Sequence, residues 1–290
     1  MSSSADQHLA TRRAAGLFDF SFMGLCEFRG RRPRQSRDLS QVPPGRAAYT
    51  LLVNDDGSVF NDATVWNMGE DRWWVFTGRP GDVAWFGGDA RDRSGEHAIL
   101  ALQGPDSGRI LSRIVGEQFV RDLRYFHFAR SEDLLIGRLG YSGELGYELL
   151  VPKADESKLR ERLGGVPACS FEAANSLRIE SGFVLFDREI DGRANPSELG
   201  LERFAGRTFP MNRKLVGLEI EAGRASGELQ AASVTSQCDS PTLGRGIALG
   251  FAPPGSRPGD YLRVDHDYLA RVVQLPFYDR ERRRPRAGPL

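Results

Sequence analysis

The chain has 290 residues, which is long enough to bury a large core without disulfide bonds or a structural metal. Its 39 basic and 39 acidic residues balance, so no strong net field would gather nucleic acid or an anionic membrane. Three isolated cysteines, the absence of an apolar leader and the absence of a run of about 18 apolar residues predict a soluble, reduced, cytoplasmic protein.

A local basic cluster follows the apolar stretch at residues 17–23. Its members are Arg29, Arg31, Arg32, Arg34 and Arg37. We interpret the cluster first as a solvated loop and second as a rim that attracts anions.

Residues 47–66 alternate apolar and polar side chains on both sides of an NDDG turn at residues 54–57, which predicts a hairpin. The RWWVFTG stretch at 72–78 adds a third strand, and residues 97–103 (HAILALQ) form a further buried strand. A short helix begins near Asp106, after the Gly104-Pro105 stop.

The middle of the chain alternates strands and helices. Strands are predicted at 125–129, 134–138 and 147–151, a helix at 154–163, and a second helix at 170–183 capped by Ser170, with Arg178 and Glu180 near its end. From residue 209 the texture changes to short β-like runs of a small closed β module. We therefore divide the chain into a body at 1–208, a β-barrel at 209–280 and a disordered tail at 281–290.

The stretch GYSGELGYELLVP at residues 140–152 places Glu144 in a glycine-rich turn. Glycines at 140, 143 and 146 allow positive φ or close backbone approach, and Tyr141 and Tyr147 flank the acid. Glu144 is then either a solvated charge in a hairpin turn or part of a loop that lies against a flat polar ligand.

Common catalytic motifs are absent from the sequence. GRGIALG at 244–250 has the wrong spacing for a dinucleotide fingerprint and enters a strand, GYSGE lacks the second glycine of a nucleophile elbow, and no phosphate-binding P-loop occurs. The four histidines show no metal-ligand spacing, so no metal site is predicted.

Several stretches in order resemble the folate-binding aminomethyltransferases, which the T-protein of the glycine cleavage system typifies. They are LFDFSFM, YTLLVNDDGSVFNDATV, LALQGPDS, GYSGELGYELLVP, SLRIESGFVLFDREI, NPSELGL and SPTLGRGIALGFA with SRPGDYLRV, and together they run from about residue 17 to residue 277. The resemblance implies an α+β fold in which two interleaved subdomains surround a folate channel and a carboxy-terminal β-barrel follows.

The resemblance also implies site residues for tetrahydrofolate. Glu144 would bind the pterin, because an ionised carboxylate accepts two hydrogen bonds from a ring N–H and an exocyclic amine. Tyr141 would pack beside the ring, and Arg178 would support the site from its helix. Asp62, the second residue of the family's acidic pair, would be the catalytic carboxylate that orients the secondary aniline nitrogen and takes or stabilises its proton.

The sequence departs from the family pattern at four places. Asn61 replaces the first acid of the pair, Phe186 replaces a tyrosine, and Asp187 stands where relatives have glycine. The chain also begins near the early LFD motif, without the aromatic segment that precedes it in relatives. We therefore expect the acceptor side of the pocket to differ.

The leading hypothesis is a tetrahydrofolate-dependent one-carbon transferase that moves an aminomethyl or methyl group to the folate. The donor is either a lipoyl carrier protein bearing an aminomethyl group or a small N-, O- or S-methylated metabolite that is demethylated. The alternatives are a non-catalytic folate-binding protein, against which the absence of the K-G-C-x-x-G-Q-E stretch of such relatives argues, and a subunit of a larger oxidase complex, in which a partner subunit supplies the missing wall.

Overall fold

A computed structural model of the chain describes residues 2–290. The chain opens with helix α1 (Ser4–Arg13), an element that we did not predict from the sequence. The Ser3 hydroxyl accepts the backbone N–H of Asp6, and the Asp6 carboxylate accepts the backbone N–H of Ser3, both at 3.1 Å. This reciprocal capping box fixes the start of the helix, which packs against helix α5 (Phe171–Glu180).

The first sheet is built mostly from the middle of the chain. Its strands are β1 (Gly16–Asp19), β7 (His97–Gln103), β8 (Phe128–Ser131), β9 (Leu134–Gly137), β10 (Gly146–Pro152) and β11 (Ala168–Cys169). They lie in the order β11-β1-β7-β10-β9-β8, and only the β1–β11 pair is parallel. The predicted strand at 97–103 is confirmed, and the strand predicted at 125–129 begins three residues later.

The second sheet contains the predicted hairpin and meander. Its strands are β2 (Gly24–Arg29), β3 (Ala47–Val53), β4 (Val59–Gly69), β5 (Arg72–Thr77) and β6 (Arg91–Asp92), in the order β3-β4-β5-β2-β6. Gly57 takes a φ of +89° in the turn between β3 and β4. Leu51 of β3 pairs with Asp62 of β4, which fixes the position of the predicted catalytic acid in the sheet.

Helices cover the outer face of the first sheet. They are α2 (Ser107–Val115), α3 (Glu117–Asp122) and α4 (Glu156–Arg162). The chain also contains 3-10 helices at Pro80–Asp89, Lys153–Asp155, Glu202–Phe204, Asp265–Asp267 and Arg284–Arg286. Leu111, Val120 and Leu159 bury their side chains in one apolar cluster with the sheet. Within residues 2–290 every helix is too short or too polar to cross a membrane.

The inner faces of the two sheets meet across a second apolar cluster. Ile99 and Leu150 of the first sheet belong to this cluster, and so do Trp66 and Phe76 of the second sheet. Leu177 of α5 packs in the same cluster. The candidate site lies beside this cluster, so side chains from both sheets and from α5 reach it.

The carboxy-terminal strands close into a barrel. They are β12 (Lys214–Arg224), β13 (Ser233–Ser240), β14 (Arg245–Ala252), β15 (Tyr261–Val264) and β16 (Tyr268–Val273), in the order β13-β14-β12-β16-β15. Arg263 of β15 exchanges two backbone hydrogen bonds of 2.9 Å with Gln230 and Ala232, just before β13. Because these bonds join the two ends of the strand order, the predicted closed β module is confirmed.

The last residues, for which the sequence predicts disorder, lie against the body in the structure. Arg138 donates to the carbonyl of Ala287 at 2.5 Å, and the Arg284 guanidinium lies 3.3 Å from the carboxylate of Glu144. The segment thereby borders the candidate site.

Candidate functional site

A cavity of about 700 Å³ lies between the two sheets, the residues after α5 and the carboxy-terminal segment. Its volume falls within the range of small-molecule sites in proteins, roughly 300–1,000 Å³. Twelve of the residues that line it are aromatic: Phe20, Phe22, Tyr49, Phe76, Tyr125, Phe126, Tyr141, Phe171, Phe183, Phe186, Phe204 and Tyr278. Such a wall suits a flat, partly apolar ligand.

Asp62 of β4 lines this cavity, as the catalytic assignment requires. The Tyr49 hydroxyl donates to its Oδ2 at 2.9 Å, and the Asp62 backbone N–H donates to Asn61 Oδ1 at 2.9 Å. Burial raises the pKa of Asp62 to about 6, although the Tyr49 hydrogen bond favours the ionised form. A carboxyl that titrates near neutrality can both accept and return a proton.

Glu148 of β10 is a second carboxyl in the same cavity. It is 6% exposed, and its Oε2 has no hydrogen-bond partner among residues 2–290. Burial raises the pKa of Glu148 to about 7. A buried, unpartnered acceptor is costly in a folded protein, and this carboxyl belongs to a residue that lines a cavity which a ligand with N–H donors can fill.

Tyr141 lines the cavity from the glycine-rich loop, as predicted. Its ring stacks on Phe183 with a centroid separation of 5.7 Å and an interplanar angle of 21°. Its hydroxyl donates to the carbonyl of Val184. The loop is thereby tied to the segment that follows α5, and Tyr141 presents a ring held in place from behind.

Glu144 does not line the cavity but lies in a buried ion-pair cluster beside it. Arg12 of α1 contacts Glu144 at 3.0 Å and Glu180 at 2.7 Å, and its guanidinium stacks 4.1 Å from the Tyr278 ring centroid. Arg284 contacts the other Glu144 oxygen at 3.3 Å. The two carboxylate oxygens of Glu144 are therefore engaged by arginines from both ends of the chain.

Glu180 completes the cluster from α5. Burial opposes its ionisation, but the His8 hydrogen bond and the Arg12 charge outweigh it and lower the pKa of Glu180 to about 2. The His8 Nε2 atom lies 3.1 Å from Glu180, and Ser240 of the barrel also donates to this carboxylate. Glu180 is therefore a buried ion-pair partner of Arg12 that joins α5 to α1.

Arg178 is 1% exposed and contacts the site indirectly. Its guanidinium donates to Glu189 at 2.8 Å, to Ser236 of β13 at 2.6 Å and to the carbonyl of Phe183 at 3.1 Å. Because Phe183 lines the cavity, Arg178 joins α5 and the barrel to the cavity wall. Arg178 itself does not line the cavity, and its supporting role stays a prediction.

Comparison with known proteins decides the family. The GCVT N-terminal domain matches residues 1–208, and the glycine cleavage T-protein C-terminal barrel domain matches residues 213–279. The chain belongs to the glycine cleavage T-protein family. The resemblance inferred from the ordered motifs is therefore confirmed, and with it the assignment to an enzyme family of aminomethyltransferases.

Individual relatives of this T-protein-family chain cover nearly its whole length. An aminomethyltransferase of Rubrobacter xylanophilus is 33% identical over 97% of the chain and 88% of the relative. One from Prochlorococcus marinus is 31% identical over 95% of the chain and 90% of the relative. The crystal structure of glycine cleavage system aminomethyltransferase T from Bartonella henselae superposes with a TM-score of 0.81 at 23% identity, over 96% of the chain and 90% of that structure. This last likeness confirms the fold.

The departures from the T-protein pattern have local explanations in the structure. Asn61 donates to Asp82 at 2.7 Å, a contact that an acid at position 61 would turn into a repulsion between carboxylates. Asp187 has a φ of +58°, the left-handed conformation that glycine adopts most easily and aspartate tolerates. Arg79 contacts Asp187 at 2.8 Å and stacks over the Phe186 ring at 5.2 Å.

Glu148 and the carboxy-terminal segment are the parts of the site that we did not predict. A sequence signal for Glu148 existed, because a strand buried on both faces has no solvated side for a charge. Tyr147 and Leu149 point to the outer apolar cluster, so the alternation of a strand turns Glu148 toward the opposite face and the cavity. Nothing comparable in the sequence marked the tail as part of the wall.

Proposed function

We propose that the chain is a tetrahydrofolate-dependent one-carbon transferase that moves an aminomethyl group from a donor to the folate. The observation that supports this most is the pair of buried carboxyls, Asp62 and Glu148, on one aromatic-walled cavity. Two acidic residues that contact different parts of one ligand can have separate roles, one in binding and the other in the chemical step.

Glu148 is the group that we assign to the pterin. The pterin edge offers a ring N–H and an exocyclic amine as adjacent donors, and an ionised carboxylate accepts both. Glu148 has an unpartnered oxygen for this purpose, whereas the oxygens of Glu144 are engaged by Arg12 and Arg284. The geometry therefore favours Glu148 over Glu144, the residue first predicted for this role.

Asp62 is the group that we assign to the reacting nitrogen. As the group moves to the folate, this nitrogen loses a proton or carries developing positive charge, and a carboxylate 2.9 Å from the Tyr49 hydroxyl is held in one orientation to accept or offset it. Tyr141 would pack against the pterin ring, with Arg178 holding the wall behind it.

The most specific part of the proposal is the identity of the one-carbon donor. The relatives are named aminomethyltransferases, which supports an aminomethyl donor over a small methylated amine. We propose that this group is carried on the lipoyl arm of a partner protein. Incubation with tetrahydrofolate and an aminomethylated lipoyl carrier should release ammonia and form methylene-tetrahydrofolate. Product from a panel of methylated amines, without product from the carrier, would instead assign the demethylase alternative.

Binding and turnover of two variants test the site assignment. Glu148→Gln keeps the shape but loses charge-assisted hydrogen bonds worth roughly 1.5–3 kcal/mol each, so tetrahydrofolate affinity should fall about tenfold or more. Glu144→Gln, the comparison variant in the loop, should lower the unfolding free energy because it disrupts the contacts with Arg12 and Arg284, but it should weaken folate binding less than Glu148→Gln does. The opposite ranking would return the pterin to Glu144, and calorimetry without folate binding by the parent would refute the proposal.

A further inference from the structure

Residues 280–290, at the end of the chain, lie on the surface of the body, and we name this segment the strap. Most of its residues are exposed, and Arg282, Pro285 and Pro289 are half-buried. Arg282, Pro285 and Arg286 line the cavity. The strap therefore forms part of the cavity wall in its first half and contacts the body again near its own end.

The end of the strap rests on the first turn of helix α2. If Gly108 of α2 carried a Cβ atom, that atom would overlap the carbonyl oxygen of Pro289. Glycine thus lets the strap approach the helix this closely. The first N–H groups of a helix have no partner within it, and the positive end of the helix dipole favours a carbonyl oxygen. We name the contact between Pro289 and Gly108 the latch.

The surroundings of the latch contain hydrogen-bonding groups that are not used. The Tyr147 hydroxyl lies 3.2 Å from the position that a Gly108 Cβ would take, and it is buried without a hydrogen-bond partner among residues 2–290. Arg138 donates to the carbonyl of Ala287 in the strap, but its buried Nε also lacks a partner in this part of the chain. Because unpaired buried polar groups are unfavourable, the docked strap is held incompletely and can be released.

The strap is attached to the body by side chains and by the latch. The backbone N–H of Tyr278, just before the strap, donates to the carbonyl of Glu180 at 3.0 Å. Beyond this point, the backbone-to-backbone bonds of the described chain join residues 279–287 only to one another. The Arg284 guanidinium, 3.3 Å from the Glu144 carboxylate, is one of the side-chain attachments. A segment without backbone pairing to a sheet opens at a lower free energy than the strands beside it.

We propose that the strap is a gate on the cavity, which swings outward about Asp279 and which the latch on α2 holds closed. Release of the strap opens the part of the wall that Arg282, Pro285 and Arg286 form, so that a ligand can enter or leave. The family's barrel match ends at residue 279, so the gate is built from residues beyond that match. The inference goes beyond the proposed function, because it concerns access to the cavity and applies to any ligand that binds there.

Hydrogen exchange of the full chain without ligand tests the latch. Gly108→Ala places a methyl group against the Pro289 carbonyl oxygen, while alanine favours helix α2 more than glycine does. The amides of Arg282, Arg286 and Ala287, which are bonded within residues 279–287, should exchange at least about tenfold faster than in the parent. The amides of α2 should not exchange faster. Equal exchange of the strap in the two proteins would overturn the inference.

Gly81→Ala is the matched control. Gly81 is also the second residue of a helix, the 3-10 helix at Pro80–Asp89, but a Cβ there would meet open space, and Gly81 does not line the cavity. This variant should leave exchange of the strap within about twofold of the parent. A similar acceleration in both variants would show a general loosening of the protein and would overturn the latch.

Stopped-flow binding of tetrahydrofolate tests the gate. The latch lies outside the cavity and favours the closed strap equally with and without ligand. Gly108→Ala should therefore raise the association and dissociation rate constants by the same factor, about threefold to tenfold, and leave Kd within about twofold of the parent. The Gly81→Ala control should change neither rate constant.

Two kinetic results would contradict the gate. Faster dissociation with unchanged association would make the strap a part of the binding wall only, and unchanged rate constants despite faster hydrogen exchange would mean that the ligand passes elsewhere. Failure of the parent to bind tetrahydrofolate would instead refute the proposed function, and hydrogen exchange would still decide whether the latch at Gly108 holds the strap closed.

Discussion

The unpartnered carboxyl of Glu148 should make the free protein less stable than it could be. The perturbation is Glu148→Gln, which keeps the size of the side chain and removes its ionisation. Burial raises the pKa of Glu148 from 4.5 to about 7, and each pKa unit corresponds to about 1.4 kcal/mol. The ionised form therefore destabilises the folded state by about 3 kcal/mol.

The sign of the pH dependence follows from which state holds the proton. Between about pH 4.5 and pH 7 the folded protein keeps the Glu148 proton that the unfolded chain has released, so raising the pH through this range favours unfolding. The penalty is absent below about pH 4.5 and complete above about pH 7. Glu148→Gln should thus match the parent in acid and exceed its unfolding free energy by about 3 kcal/mol at pH 8.

Urea unfolding without ligand, at several pH values between 5 and 8, measures this difference. Asp62 titrates in both proteins and cancels in the comparison. Exposed Glu117, changed to glutamine in a control protein, should alter stability by less than about 0.5 kcal/mol at every pH. If the unfolding free energies of the parent and Glu148→Gln change with pH in parallel from pH 5 to pH 8, the Glu148 carboxyl is solvated or paired. Its assignment as the acceptor of hydrogen bonds from the ligand would then be unsupported.

Three further outcomes test the other groups around the cavity. Asp62→Asn should keep folate affinity but slow single-turnover transfer at saturating folate by about 10²–10⁴-fold, and a loss of less than about threefold would make Asp62 a structural charge. Tyr49→Phe removes the hydrogen bond that favours ionised Asp62, so the acid limb of the pH–rate profile, expected near pH 6, should move to higher pH. An unchanged acid limb would mean that the ionisation of Asp62 does not control the rate. Arg178→Met leaves Glu189 buried without its cation and should lower the unfolding free energy by about 3 kcal/mol or more in urea titrations, with fully retained stability as the contrary result.

Local patterns in the sequence were sufficient for much of the fold. The hairpin around residues 54–57 and the helix after Ser170 were predictable because a turn and a cap each involve residues close together in sequence. The barrel was predictable as a run of short strands between glycines and prolines. The particular bonds that close it could not be assigned from the sequence, since those of Arg263 to Gln230 and Ala232 join residues more than thirty positions apart.

Residues of the candidate site were predictable only where a single local sequence motif identifies the side chain. Asp62 and Tyr141 line the cavity as expected. Glu144 was assigned to the ligand because the family resemblance gives that role to the loop glutamate, but Arg12 and Arg284, from opposite ends of the chain, both contact it. No spacing rule relates positions 12, 144 and 284, because the contact exists only once α1 and the carboxy-terminal segment have packed against the loop.

The acids around the cavity show how one residue type can take two roles. Glu180 lies against Arg12 and His8, which hold its pKa near 2, so its charge stays constant at any physiological pH and serves to join α1, α5 and the barrel. Asp62 and Glu148 lack a cationic partner among residues 2–290, and burial raises the pKa of each toward neutrality. The pH dependence of ligand binding and turnover should therefore originate in Asp62 and Glu148, while the ion-pair cluster keeps the walls of the cavity in place.

A ligand that donates hydrogen bonds to Glu148 favours its ionised form, so folate binding near pH 6.5 should release a proton from the protein, and the heat of binding should change with the ionisation enthalpy of the buffer. Binding without such proton release would mean that the ligand leaves Glu148 untouched.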